Sequence, residues 1–394
     1  MNDASGGYIN ALSKVLIIGS GIAGLCLAFL LEQMGVYAEI VERATECKPV
    51  GGGITLTLNG MKLLNKMGLD LLVEEKGLVI NSIKITNALN HTLSIFDVAQ
   101  YADSFAKTVT IHRAELHQVL INKLSNTTIN YNTTFSTIEQ VGEKVKVVFS
   151  NGRVGCYDLV VGCDGMHSSL RKYLFEKHKV NYAGYACWRF VCDAIGIEYP
   201  KDELTEMWGN GKRFGIVPLK NNLVHCFASF NTRHPENFRQ ISVDKFRSLF
   251  SAFGGQVPLL LNKVNNKTKL LFNELEDVHV KKWSSGKIIL IGDAAHGMTP
   301  NLTQGASMAI EDAFYLCNIL KEGKPIIESL DRFEQLRQDR VSRIQHRSAL
   351  LGKIGQWQSP FLVSIRNFCW KKMPNKWIQK DFEKLLIKNG CYEQ

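Results

Sequence analysis

Three glycines in the pattern Gly19-Ser-Gly21-Ile-Ala-Gly24 constrain this chain more than any other feature, because of what surrounds them. A short apolar run, Val15 to Ile18, precedes them, and a longer one to Met34 follows. The first glycine permits a tight turn. The second lets the backbone approach a pyrophosphate, and the third lets a helix pack closely on a strand. The reading is therefore strand, turn and a buried helix over Ile22 to Met34, capped by Gly35. The helix start would point unpaired N–H groups at phosphates. Tyr37 to Glu42 reads as a second strand. Such a βαβ opening demands a parallel sheet with both faces covered. Glu42 lies about 20 residues beyond the turn, where a carboxylate would accept hydrogen bonds from a ribose; a plain surface acid is the alternative.

Further on, Val50 to Gly60 places glycines around a short strand, and a helix is expected from Asn59 as its N-cap. Val79 to Ala88 and Thr92 to Phe96 read as antiparallel strands, and Arg113 to Leu124 as an amphipathic helix. Thr127 to Phe149 alternates as two or three strands would, and Asp158 to Gly162 is another buried parallel strand. After Arg171 the texture changes. Tyr185 to Cys192, Arg213 to Leu219 and Leu223 to Phe230 resemble one antiparallel sheet. Val243 to Phe253 is expected to be helical. Parallel-strand character returns at Gly286 to Asp293, and helices are expected from about Gln304 to His346. The last part mixes aromatics such as Trp357, Phe361, Phe368 and Trp377 with lysines, and reads as two helices broken near Met373-Pro374.

The expected architecture is α/β: a Rossmann-like nucleotide-binding domain with an inserted antiparallel-sheet substrate domain and a C-terminal helical segment. The nucleotide domain takes residues 1–75, 103–172 and 281–351. The substrate domain takes 76–102 and 173–280, and 352–394 form bridging helices.

Composition narrows the function classes. With 45% hydrophobic and 21% charged residues the chain has an ordinary globular balance. Its net charge is +10, but the lysines and arginines are scattered rather than packed into a run. That favours a solvated basic surface over a nucleic-acid-binding stripe. Ten cysteines, including Cys26, Cys47, Cys163, Cys187 and Cys317, make no CxxC pair and no zinc-spaced cluster. No metal site is expected, and reduced core thiols fit a cytoplasmic setting. The stretch Met1 to Ser13 before the first apolar run is polar and carries no basic n-region, so no signal peptide is expected, and the glycines interrupt the one stretch long enough to approach a membrane span. Neither nucleic-acid binding nor stable membrane insertion is expected.

Two later stretches join the first. Cys163-Asp164-Gly-Met-His167-Ser168-Ser-Leu-Arg171 follows a strand; alone it would be an ordinary strand-to-helix turn with Ser168 as cap. Gly292-Asp293-Ala-Ala-His296 ends another strand, and Pro300 to Gly305 precedes a helix whose start can stabilise negative charge. His296 is read as packing and hydrogen-bonding in the loop, not as a catalytic base.

In this order the three stretches resemble the fingerprints of the FAD-dependent aromatic-hydroxylase-type (class A) flavoprotein monooxygenases over roughly residues 14 to 345. Arg113-Ala-Glu-Leu116 is similar to that family's Arg-x-x-Leu helix start. The resemblance implies FAD as cofactor. Its contacts would be Gly19, Gly21, Ile22, Ala23, Gly24, Glu42, Arg43, Gly53, Arg113, Asp164, Asp293, Pro300, Gly305 and Ala306. Two positions depart from the family, which has Gly at Thr303 and Asn at Ser307, both expected near the flavin ring.

What the resemblance implies about chemistry is flavin-borne. NAD(P)H acts as a transient reductant, and reduced flavin with dioxygen forms a C4a-hydroperoxide that hydroxylates an electron-rich phenol or enol. No catalytic side chain is assigned, in keeping with the absence of a Ser/His/Asp or Cys/His motif. The small-molecule substrate is expected between the middle sheet and the flavin, near Trp188, Arg213, Phe214, Pro218 and His225. Arg213 is the foremost of these, as the partner of an anionic or enolate ligand. The short chain with a terminal aromatic and basic helix is most similar to the tetracycline destructases, which implies a monomer that inactivates tetracyclines. A hydroxylase of a small phenolic or heteroaromatic metabolite is the alternative within the class. A non-hydroxylating flavoprotein, of isoprenoid-reductase or partner-binding type, is the alternative outside it. A flavin halogenase is disfavoured by the missing WxWxIP motif.

Overall fold

The computed structural model describes residues 12–46, 52–175 and 179–388. Most of the polar N-terminal stretch, Cys47 and the Val50-Gly51 end of the second glycine cluster lie outside them.

A six-stranded sheet forms the base. Its order is Ser284–Ser285, Ile288–Leu290, Leu159–Gly162, Lys14–Ile18, Tyr37–Val41 and Thr128–Asn130. All neighbours pair in parallel except the first two. The central strand Lys14–Ile18 is apolar after its first residue, as a strand covered on both faces must be. The helix Ile22–Gln33 buries ten consecutive residues, Ile22 to Leu31, so it has no polar face, consistent with its being enclosed. It ends where Gly35 takes a left-handed φ of 72°.

Parallel pairing has a direct consequence. Lys14–Ile18, Leu159–Gly162 and Ile288–Leu290 run the same way, so the loops after them leave from one edge of the sheet. Gly19, Cys163 and Gly292 are therefore neighbours although they span most of the sequence.

The second sheet has seven strands, ordered Leu271–Val278, Val180–Asp193, Leu223–Asn231, Lys212–Pro218, Glu203–Trp208, Ser82–Asn87 and Thr92–Asp97. It is antiparallel apart from one pair, Glu203–Trp208 with Ser82–Asn87, which is parallel. Its two faces differ by the alternation of strand side chains. Even-numbered Trp188, Phe190, Phe214, Cys226, Ala228 and Phe230 join Phe246 and Phe250 of the helix Val243–Phe250 in a separate apolar core. Odd-numbered Arg213, His225 and Phe227 point the other way, towards Asn301, Gly52 and Leu58 respectively. Gly52 and Gly53 lie against His225: a Cβ on them would come within 2.3 and 2.8 Å of it.

Two small three-stranded sheets complete the strands: Gly53–Leu56, Thr108–His112, Leu78–Ile80, and Phe135–Val141, Lys144–Phe149, Val154–Tyr157. The region expected to be helical from Gln304 to His346 divides into Gly305–Leu320 and Ile326–Gly355, broken around Pro325. The second runs past the boundary expected at 352. Pro360–Lys372 and Asn375–Glu383 follow, and Pro374 separates them as its missing N–H requires. Asn59 is not an N-cap. Thr57 holds that position for the helix Leu58–Lys66, and Asn59 is fully buried and bonded elsewhere.

Candidate functional site

The first glycine turn is held by backbone contacts that tolerate no side chain. Gly19 has φ 108°, and its N–H donates to Val41 O (2.8 Å). A Cβ there would meet Cys163 O at 2.5 Å, and one on Gly24 would meet Gly19 O at 2.1 Å. Gly21 has nothing nearer than 3.9 Å. The first and third glycines thus lock the turn, and the second leaves its surface open. Gly21 is the N-cap of the helix and gives it no side-chain cap, so the first-turn N–H groups stay available to an anion. Glu42 braces the turn: Oε2 accepts from the Ser20 N–H (2.9 Å) and Oγ (3.0 Å), and Oε1 from the Ala44 N–H (2.9 Å). Arg43 beside it is exposed.

The other two fingerprints close on this turn. Gly292 has φ 59°, and a Cβ on it would lie 3.2 Å from Ala23 Cβ. Fully buried Arg171 joins the second loop to the third, donating to Met166 O (2.5 Å) and Ala294 O (2.8 Å). Asp164 serves the protein itself. It accepts from Ser168 Oγ (2.5 Å) and from the N–H groups of Ser169 (2.7 Å) and Leu170 (3.1 Å), capping the helix Ser169–Leu174.

Asp293 differs from Asp164. Solvent reaches it, yet it lies deep in the molecule, as a residue at the floor of a cleft does. Burial raises the pKa of its carboxyl, against the pull of His296 and Arg113. Its carboxylate accepts no hydrogen bond from the described residues. Arg113 is similarly placed, reached by solvent but desolvated enough to lower its pKa. With Gly52, Gly53, Arg189 and Asn273 it lines a cavity of about 290 Å³ between the strand Gly53–Leu56 and the second sheet. Gly305 starts its helix close to Asp293: a Cβ on it would lie 3.9 Å from Oδ1. That helix has no side-chain cap either, because the Gln304 side chain is engaged with Asn59 and Thr57. Pro300 opens the preceding 3₁₀ turn, and Ala306 is half-buried. Two uncapped helix starts, a glycine surface, an arginine and a free carboxylate along one cleft fit a dinucleotide with a ribityl chain.

The two departing positions have different surroundings. Thr303 sits at φ 53°, the left-handed region where glycine is at ease. Ser307 is fully buried rather than set towards the cleft. It shares a hydrogen bond with Thr57 Oγ1 (2.9 Å) and rests on Gly60, where a Cβ would come within 2.5 Å of its Oγ.

Several expected substrate residues move. Trp188 and Phe214 lie on the even-numbered face, away from the cleft. Trp188 stacks on Phe230 with centroids 4.7 Å apart, and Phe214 packs against Phe250. Both are core side chains. Arg213 lies on the odd-numbered face but is already paired: it donates to Glu206 Oε1 (3.0 Å) on the neighbouring strand and to Asn301 Oδ1 (2.6 Å). Asn301 in turn donates to the Tyr185 hydroxyl and to Ser348 O. Arg213 therefore clamps the Pro300 loop to the second sheet. Pro218 is buried, and its carbonyl accepts from Thr110 Oγ1 (2.5 Å). His225 stays at the cleft, against Gly52 and Gly53. Burial first, and Arg189 next, push its pKa down to about 3, so the imidazole is neutral, and its Nδ1 has no partner among the described residues.

Sequence reasoning missed Arg189, His117 and a buried ion network. His117 follows Arg113 by one helical turn, and burial first, then Arg113, lowers its pKa beside Ser20 and Glu42. In the network, Glu311 accepts from Arg337 Nη1 (2.6 Å), Arg340 Nε (2.6 Å), Arg340 Nη2 (2.5 Å) and Asn59 Nδ2 (2.8 Å). Asp312 accepts from the Gly292 N–H (2.8 Å), His296 Nε2 (2.5 Å) and Arg337 Nε (2.8 Å). His296 thus orients Asp312, which pins the Gly292 turn, in keeping with a packed and hydrogen-bonded histidine.

Comparison with known proteins identifies the family and the fold. The family model described as "FAD binding domain" matches residues 13–348. The 2-heptyl-3-hydroxy-4(1H)-quinolone synthase of Pseudomonas aeruginosa is 33% identical over 366 residues, covering 92% of this chain and 94% of that protein. Among solved structures, Klebsiella pneumoniae HpxO complexed with FAD and uric acid superposes with a TM-score of 0.87 at 22% identity, covering 96% of this chain and 97% of that one. The tetracycline destructase Tet(51) superposes at 0.73, also at 22% identity, covering 97% and 99%.

Proposed function

Because the chain belongs to the FAD-binding family of aromatic-hydroxylase-type flavin monooxygenases, we propose that it hydroxylates an electron-rich heteroaromatic ring of the 4-quinolone class. The observation that carries the substrate class is the 33% identity to the quinolone synthase across nearly the whole of both chains. The tetracycline expectation rests on solved structures at 22% identity, a likeness of fold. The heteroaromatic alternative therefore takes precedence.

Bound FAD would supply hydride acceptance and oxygen activation. The chain's own part is to hold and enclose. The Gly19–Gly24 turn and the start of the helix Ile22–Gln33 would take the pyrophosphate. Glu42 would take a ribose and Asp293 a ribityl hydroxyl, with Arg113 beside them. The start of the helix Gly305–Leu320 would face the ring's electron-rich edge. In the overall reaction one oxygen atom of dioxygen enters a ring C–H bond and the other leaves as water. NAD(P)H provides two electrons as a hydride, and solvent provides one proton.

The substrate would rest on the odd-numbered face of the second sheet. Half-buried Phe227 lies there over Gly215, in an apolar cluster with Leu58, Phe96, Tyr101 and Val217. Ile378 and Phe382 of the C-terminal helix pack against the same cluster, Phe382 on Phe96 with centroids 4.3 Å apart. Such a wall suits a flat ring with an apolar substituent.

The test is steady-state NAD(P)H oxidation and oxygen uptake by the FAD-loaded enzyme with a 2-alkyl-4-quinolone, urate and tetracycline in parallel. Stimulation by the quinolone above the other two is expected. Stimulation by tetracycline alone would transfer the assignment to the tetracycline reading, and failure to bind FAD would end both.

A further inference from the structure

The helix Pro360–Lys372 presents the wrong face to solvent. Its inner side carries Val363, Arg366 and Trp370, of which Arg366 is buried and bonded to Gly355 O (2.9 Å). Its outer stripe, at helical spacing, is Phe361, Ile365 and Phe368, which are 72%, 40% and 65% exposed. Leu362 borders that stripe, and Trp377 of the next helix is 69% exposed. A surface helix normally turns its apolar stripe inward, so a clustered outward stripe marks an interaction surface.

The charge around it selects the partner. Pro360–Lys372 contains no acidic residue, and Lys371 and Lys372 close its last turn. Lys376, Lys380 and Lys384 continue the series. Residues 352–388 hold eight lysines and arginines against two acids, Asp381 and Glu383. Apolar and aromatic side chains beside lysines are the composition of a helix lying in the interface of an anionic bilayer. No helix among the described residues is long and apolar enough to cross a membrane, so contact would be peripheral. A second copy of this chain would bring the same lysines against one another, which disfavours it as the occupant.

We propose that the Pro360–Glu383 helical pair docks this protein on anionic membrane surfaces, with Phe361, Ile365 and Phe368 in the lipid interface and the lysines on the headgroups. The inner face of the second helix belongs to the apolar cluster at the cleft, so docking would place the cluster's outer wall against lipid. The inference stands apart from the substrate assignment, since its readout is binding.

The full-length FAD-loaded protein is floated with vesicles of phosphatidylcholine, alone or doped with phosphatidylglycerol. Binding to the anionic vesicles at least about tenfold tighter, and lost at high salt, is expected. Phe361→Ser with Phe368→Ser, and separately Lys371→Glu with Lys372→Glu, should each abolish it while leaving thermal stability and basal NAD(P)H oxidation unchanged. Absence of binding to the anionic vesicles, or unaltered binding by the phenylalanine variant, would overturn the proposal. So would a concentration-dependent dimer that the phenylalanine variant dissociates.

Discussion

Replacing Glu311 by glutamine probes the network that underlies the cleft. Glu311 is fully buried and accepts four hydrogen bonds, three of them from the guanidinium groups of Arg337 and Arg340. Burial alone would raise its pKa, but the two arginines hold it well below the ordinary carboxylate range. Glutamine keeps the shape and removes the charge. Its amide nitrogen is then a donor facing donors, and Asp312 alone must balance two buried arginines. Breaking a buried ion pair by neutralising one partner costs about 3–5 kcal/mol. Against a total stability of about 5–15 kcal/mol that is a large share. At about 1.2 °C per kcal/mol for a chain of 394 residues, the unfolding temperature should fall by roughly 4–6 °C. The carboxyl's depressed pKa makes its contribution complete above the unfolded value of about 4.3 and lost as pH falls towards the folded value. Wild type and variant should therefore converge in acid. Thermal unfolding of the two FAD-loaded proteins across pH is the assay. A difference under about 1 kcal/mol at neutral pH, or one that does not shrink in acid, would refute the reasoning.

Other substitutions separate holding the cofactor from holding the fold. Asp293→Asn should weaken FAD binding by about tenfold or more, as loss of a charged hydrogen-bond acceptor does, in a flavin fluorescence titration. Burial raises this carboxyl's pKa, so in the flavin-free wild type its ionisation costs stability as pH rises through the unfolded value; the flavin-free variant, which has no such charge, should melt no lower than wild type at neutral pH. Trp188→Leu should lower stability by about 3 kcal/mol in denaturant titration and leave the Michaelis constant for substrate unchanged, because the indole lies in the far core. Thr303→Gly should change stability by less than about 1 kcal/mol, since relief of a left-handed threonine offsets the added chain entropy; a loss above about 2 kcal/mol would contradict the strain assigned there.

The cofactor half of the molecule was legible because backbone geometry is written in glycines. Gly19, Gly24 and Gly292 stand where a Cβ would collide or φ is positive, and such positions admit few other residues. The parallel strands before them are recognisable as short apolar runs, and parallel order then brings their loops to one edge. The substrate half was less legible. Strand alternation shows that Trp188 and Arg213 occupy faces, but not which face meets the first domain. Aromatic residues suit a core and a ligand equally, so Trp188 and Phe214 were misassigned. Arg213 reads as a ligand partner because its own partners Glu206 and Asn301 come from other segments that only the fold unites. Asn59 illustrates the same limit: a good capping residue was taken up by tertiary partners, Gln304 and Glu311.

The central claim is that this chain uses FAD to insert oxygen from dioxygen into a heteroaromatic ring. Turnover of a 2-alkyl-4-quinolone with NAD(P)H under heavy-isotope dioxygen, followed by mass spectrometry of the product, tests it most directly. One heavy oxygen atom on the quinolone ring is expected, with none incorporated from heavy-isotope water. An unlabelled product, or NAD(P)H consumed with the quinolone recovered unchanged, would contradict it.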